Sequence, residues 1–222
     1  MDEYALRLLE DTLESASGYE PPLPPCLRVV YVVAGSAAIG GAGEGAEFGP
    51  NTAWFGAGPC DLRAGADGAR LWRWELVPRS LADPGLATGV GVVSEAKQRD
   101  VLELDTDGEY LMRCDRVDFP IGGIAYTHTH AGPGTRCLLR GELRVQVARS
   151  DSLIRPGESW FERGVDPVYA AASQAELTSF ARAMVLPRTL QGQSSIRYVK
   201  PEDQDKPKTQ EYTRFVDQFI EL

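Results

Sequence analysis

The stretch Tyr126-Thr-His-Thr-His130 decides how the chain is read. It holds both histidines of the 222 residues, His128 and His130. Two histidines scattered at random would fall two apart in a chain this long only about once in a hundred trials, so the spacing is a signal. On a β-strand, residues i and i+2 point to one face. Two imidazoles a few ångströms apart on one face are half of a transition-metal site.

Outward from the pair, Ala131-Gly-Pro-Gly-Thr-Arg136 reads as a glycine-proline turn. Cys137-Leu-Leu-Arg140 makes a short strand, closed by Gly141-Glu142 and a second strand, Leu143-Arg-Val-Gln-Val147. Further on stands Arg155-Pro-Gly-Glu-Ser-Trp-Phe-Glu-Arg-Gly164. This order resembles the two motifs of the cupin family: a His-x-His pair, a carboxylate and a glycine, then a Pro-Gly turn, a strand, a glycine and a final histidine. The resemblance spans residues 109–187. It implies a small closed antiparallel barrel, a double-stranded β-helix or jelly roll, with room for one metal and one small ligand. Two positions depart from the pattern. Gly134 stands where the family has its glutamate, and Pro167 where it has its last histidine.

Composition narrows the classes. A hydrophobic content of 43% is enough for real cores. A net charge of −9 makes a nucleic-acid backbone an unexpected partner. No apolar run approaches a membrane span, and the acidic start Met1-Asp-Glu-Tyr4 is unlike the basic start of a secretory signal. A cytoplasmic location is therefore expected. Cys26, Cys60, Cys114 and Cys137 form no Cys-x-x-Cys pair and read as reduced thiols.

Along the chain, residues 1–19 read as an N-terminal helix, because Ala5, Leu8, Leu9 and Leu13 share a face at helical spacing. From Leu27 the character changes to strand, with Leu27-Arg-Val-Val-Tyr-Val-Val33 rich in β-branched residues. The glycine-rich segment Gly40 to Gly45 lacks the Lys-Ser/Thr ending of a phosphate loop and reads as a hairpin or a flexible loop. An internal echo follows. Trp54 and Trp160, and Gly35 and Gly141, differ by one offset of 106, and Leu76-Val-Pro-Arg79 echoes Val185-Leu-Pro-Arg188 at 109. A duplicated unit is implied, the pattern of a bicupin. The expected fold is all-β: two tandem antiparallel cupin barrels behind an N-terminal helix. The expected boundaries are a degenerate barrel at 20–92, a barrel carrying the His-x-His site at 93–190, and a tail at 191–222 docking on the body or a neighbour. The first copy has Pro22 and Pro24 where the second has its histidines, so it cannot be a histidine metal site.

The chemistry follows from the register. Strand alternation counted from Gly141 puts Arg136 on the inward face with position 134. A guanidinium there could clamp a carboxylate or phosphate in two-pronged fashion. His128, His130 and Arg136 are the expected catalytic residues, with Arg136, Tyr126 and Gln146 expected to hold substrate. The metal, a divalent Fe, Mn, Ni or Zn ion, is expected on His128 and His130. A tight site normally needs a third protein ligand, and Gln146, Glu162, Asp166 and Tyr126 are its candidates. A metal-free histidine base is also physically reasonable. Two functions stay open: a metal-dependent enzyme of dioxygenase, lyase, isomerase or cyclase type acting on a small anionic organic molecule, or a non-catalytic binding or sensing cupin. A small-molecule ligand and a homodimer are the expected partners.

Overall fold

In the computed structural model all residues are described except 1, 42, 43, 106, 148 and 149; the side chains of Asp2 and Glu44 are also left aside. Residues 42 and 43 of the glycine-rich segment thus lie outside the described residues. The chain divides into two compact units, Met1–Asp107 and Gly108–Leu222.

Six strands make the first unit: β1 (Asp2–Leu13), β2 (Leu27–Gly41), β3 (Glu44–Phe48), β4 (Ala53–Gly56), β5 (Asp61–Pro78) and β6 (Val92–Leu104). They form one antiparallel sheet in the order β3-β2-β5-β1-β6, with β4 also paired to β2. The second unit holds β7 (Tyr110–Phe119), β8 (Ile124–His130), β9 (Gly134–Arg140), β10 (Leu143–Val147), β11 (Ser150–Ile154), β12 (Ser159–Glu162), β13 (Val168–Ala172), β14 (Thr178–Pro187), β15 (Ile196–Tyr198) and β16 (Glu211–Ile220). These make two five-stranded antiparallel sheets, β11-β10-β13-β8-β15 and β12-β9-β14-β7-β16.

The pairing scheme of the first unit recurs in the second. β1 lies between β5 and β6 as β7 lies between β14 and β16. The register Val30↔Arg73 in the first unit has Arg136↔Arg182 as its counterpart. Gly35 and Gly141 both take positive φ, 70° and 75°. A Cβ on Gly35 would meet the Gly68 carbonyl oxygen at 2.0 Å, and one on Gly141 the Thr178 hydroxyl at 2.5 Å, so each bend needs glycine.

Two expectations are corrected and a third is made specific. The N-terminal segment is strand β1, not a helix. It is paired on both edges and buried on both faces from Ala5 to Leu9, so its apolar residues run on instead of alternating. A register shift between Leu8 and Leu9 also breaks the period of two, and the result imitates helical spacing. The expected boundary at 92/93 moves to 107/108, because β6 pairs with β1 along its length. The segment 191–222 docks on the body, the first of its two expected placements, and does so as strands. Its β15 extends one sheet beside β8, and its β16 extends the other beside β7.

Each unit has its own core. Val30, Val32, Ile39, Leu62 and Leu71 anchor the first. Val117, Phe119, Leu138, Leu143, Trp160 and Phe180 anchor the second. In the second unit part of this core, including Val117, Phe119, Leu143, Trp160 and Phe180, also lines the hollow that holds the histidines.

Candidate metal and anion site in the second unit

β8 carries both histidines inward, each 5% exposed. Its pairing with β13 and β15 fixes them: His128 stands opposite Val168 and Tyr198, and His130 opposite Ile196. His128 Nδ1 lies 2.7 Å from the Tyr126 carbonyl oxygen. A carbonyl only accepts, so Nδ1 carries the proton and Nε2 keeps its lone pair. That Nε2 faces His130 Nε2 at 3.2 Å. His130 Nδ1 lies 3.2 Å from the Ser195 hydroxyl.

β12, packed on β9, supplies Glu162. Its Oε1 accepts from the Trp160 indole N–H at 2.9 Å. Its Oε2 lies 3.4 Å from His130 Nε2 and 2.6 Å from Arg136 Nη2. The arginine contact is off the hydrogen-bond direction, and Oε2 accepts no hydrogen bond among the described residues. Arg136, on β9, is fully buried and donates from Nη1 to the Gly134 carbonyl. Arg182, on β14 opposite Arg136, holds Asp115 through Nε at 2.5 Å and Nη2 at 3.1 Å.

Burial pushes both imidazoles below their ordinary pKa. For His128 desolvation leads, opposed by the bond to the Tyr126 carbonyl. For His130 desolvation leads too, reinforced by Arg182 and Arg136, and it lies well below the ordinary value. Both rings are therefore neutral at pH 7, the state in which imidazole is a metal ligand or a base. The hollow they share with Glu162 and Arg136 is about 20 Å³. That admits one ion or one water, since a single water needs roughly 10–15 Å³ by the same measure.

No family model matches the sequence, and no curated protein matches it. Solved structures do. A variant oxalate decarboxylase from Bacillus subtilis matches with a TM-score of 0.66 at 12% identity, covering 91% of this chain and 73% of that one. The oxalate decarboxylase formate complex from Lactobacillus farciminis matches with 0.64 at 13%, covering 90% and 82%. The 11S allergen of Cocos nucifera matches with 0.60 at 9%, covering 91% and 85%.

The chain shares the fold of these proteins.

Within this fold the expected residues separate into two groups. His128, His130 and Arg136 come together as the alternation implied, and Glu162 joins them. Tyr126 and Gln146 do not, and neither lines the hollow. Opposite β13, the three steps from Ala125 to His128 match only two from Ala170 to Val168, a bulge that turns Tyr126 off the histidine face. The Tyr126 ring instead receives Lys206 Nζ at 4.7 Å from its centroid. On β10, Leu143 and Val145 face the core, so Gln146 faces out and donates to Asp151 at 3.1 Å. Asp166 is held by Arg163 outside the hollow. The position where the resemblance expects a glutamate is crowded: a Cβ on Gly134 would meet the Ala183 carbonyl oxygen at 2.5 Å and Met184 Cγ at 2.7 Å.

Arg182, Ser195 and Tyr212 were not found from the sequence. Arg182 did leave a signal, a lone cation in the apolar run Phe180-Ala-Arg-Ala-Met-Val-Leu186. Ser195 and Tyr212 left none, since their elements join the site only through long-range pairing.

Among the described residues no three or more of His, Cys, Asp and Glu stand ready around an ion. The donor chemistry nonetheless fits one divalent transition ion. Two neutral imidazoles face each other through Nε2, one with Nδ1 bonded to a backbone carbonyl, the arrangement that orients metal-binding histidines. The carboxylate beside them is Glu162, whose buried Oε2 lies 3.4 Å from His130 Nε2 and is ion-paired with Arg136 at 2.6 Å.

Proposed function

We propose that this protein is a bicupin whose second unit is a metal-dependent enzyme acting on a small anionic organic molecule. One observation carries the reading: the Nε2 atoms of two neutral imidazoles meet at 3.2 Å beside a buried carboxylate oxygen that accepts no hydrogen bond. His128, His130 and Glu162 would hold the ion, which would supply Lewis-acid or redox chemistry when bound. The chain's own residues do the rest. Tyr126 fixes the His128 tautomer through its carbonyl, and Ser195 orients His130. Arg136 and Arg182 supply positive charge to an anion, and Phe119, Trp160 and Phe180 keep water from the far wall. Among its described residues the first unit has no counterpart site. Where the second unit has Arg182 beside histidines, the first has Arg73 locked between Asp11 and Glu75 in a buried ion cluster. We read it as scaffold.

The likeness to the two oxalate decarboxylases supports a small carboxylate as substrate class for this chain without naming one. The test is turnover. Protein loaded in turn with manganese, iron, nickel and zinc is incubated with a panel of small mono- and dicarboxylates and followed by proton and carbon NMR. Consumption of a carboxylate that stops in His128→Ala supports the reading.

A second reading, a metal-free binding module, is favoured by the Arg136–Glu162 ion pair, which already neutralises the carboxylate that a metal would need. Stabilisation by a carboxylate in thermal melts, with neither bound metal nor turnover, selects it.

A further inference from the structure

Beside the histidine hollow lies a second, larger cavity of about 130 Å³. We propose that it is a separate binding site for a small carboxylate, reached before the histidines and independent of any metal. The inference extends the function proposed above and rests on it only for the ligand's onward path.

Size sets the first limit. A buried cavity of roughly 150 Å³ holds benzene, so this one suits a ligand of up to about six non-hydrogen atoms. Charge sets the second. Arg113, Arg182 and Arg214 all line the cavity. Against them stand Asp115, bound to Arg182, and Asp217, bound to Arg113 at 2.8 Å and to Arg214 at 3.5 Å. Three cations against two carboxylates leave one positive charge, the complement of a monoanion.

Hydrogen-bonding capacity is left over as well. Arg182 is 4% exposed and spends Nε and Nη2 on Asp115. Its Nη1 makes no hydrogen bond among the described residues. Ser194 lines the same space, and its hydroxyl, which accepts from the Ile196 N–H, keeps its proton to donate. A planar guanidinium edge flanked by a hydroxyl matches a carboxylate. The Ile196 side chain and the Tyr212 ring, the latter over Arg182 at 5.6 Å, give an apolar wall for a short carbon chain.

Position gives the site its use. Arg182, Ile196 and Tyr212 line both cavities, and Ser195 reaches His130 Nδ1 at 3.2 Å. A ligand here is one side-chain layer from the imidazoles.

The probe is propionate, a five-heavy-atom monoanion, titrated into chelator-treated full-length protein and followed by saturation-transfer NMR. Propionamide is its neutral isostere. Arg214 is exposed, so Arg214→Met is expected to fold, with circular dichroism as the check. The expected result is saturable propionate binding that persists in His128→Ala, weakens at least tenfold in Arg214→Met, and is absent with propionamide. Absence of saturable binding overturns the proposal. So does equal binding by Arg214→Met, or loss in His128→Ala, which would put the anion among the histidines. Tighter binding of inorganic phosphate than of propionate also overturns it, by making the site one for inorganic oxyanions. No metal enters the experiment, so its failure leaves the metal reading intact, and failure of metal binding leaves this site intact.

Discussion

Glu75→Gln should destabilise the first unit by several kcal/mol at pH 7 and by much less near pH 2. The Glu75 side chain is fully buried among three arginines. Its Oε1 receives Arg28 Nε at 2.6 Å and Arg73 Nη1 at 2.5 Å, and its Oε2 receives Arg7 Nε at 2.6 Å. Burial alone would raise its pKa. Arg73, Arg28 and Arg7 overcome that and hold it at about 2, against an ordinary 4.5. A drop of that size corresponds to about 3 kcal/mol of stabilisation at neutral pH, at 1.36 kcal/mol per unit. Removing one partner from a buried ion cluster costs a similar amount, roughly 3–5 kcal/mol, because the arginines stay buried without it. The folded pKa is depressed, so the contribution is complete above about 4.5, the unfolded value, and disappears as pH falls through about 2. Urea unfolding of both proteins at a series of pH values measures the gap. Trp54, Trp72 and Trp74 lie in the first unit and only Trp160 in the second, so tryptophan fluorescence reports chiefly on the unit that changes. A variant as stable as the parent at pH 7, or a gap that ignores pH, would refute the reasoning.

Three further outcomes are expected. Gly134→Glu, which puts a glutamate where the cupin resemblance expects one, should destabilise the second unit by about 1–3 kcal/mol through overpacking and add no metal affinity; urea unfolding and metal titration check it. Because burial depresses both histidine pKa values, the native state resists their protonation. Stability of the second unit should therefore be full above roughly pH 6.5, the ordinary histidine value, and fall as pH drops below it; a His128→Asn, His130→Asn double variant should show a flatter thermal-melt profile. Arg136→Met should cost about 3–5 kcal/mol in metal-free protein by leaving Glu162 buried without its ion-pair partner, yet tighten divalent-metal binding measured by competition with a chromophoric chelator.

The sequence made some of this legible and hid the rest for physical reasons. A His-x-His pair on a strand and the alternation that turns Arg136 inward are local properties, and strand geometry preserves them. The repeat was legible because turn glycines such as Gly35 and Gly141 occupy positions that only glycine tolerates. β1 was not, because burial on both faces removes the alternation by which a strand is known. Tyr126 was misplaced by a bulge, which leaves no mark in composition. Arg182, Ser195 and Tyr212 enter the site by pairing of distant strands, and spacing along the chain carries no trace of that.

The central claim, that His128 and His130 form the seat of a metal ion, is tested most directly by metal stoichiometry. Protein reconstituted anaerobically with manganese, iron, nickel or zinc, then freed of unbound ion, is measured by plasma mass spectrometry beside His128→Ala and His130→Ala. The account predicts about one ion per chain for at least one metal, lost in either variant and retained in Glu75→Gln. Metal-free protein after every reconstitution, or equal metal in the histidine variants, would contradict it.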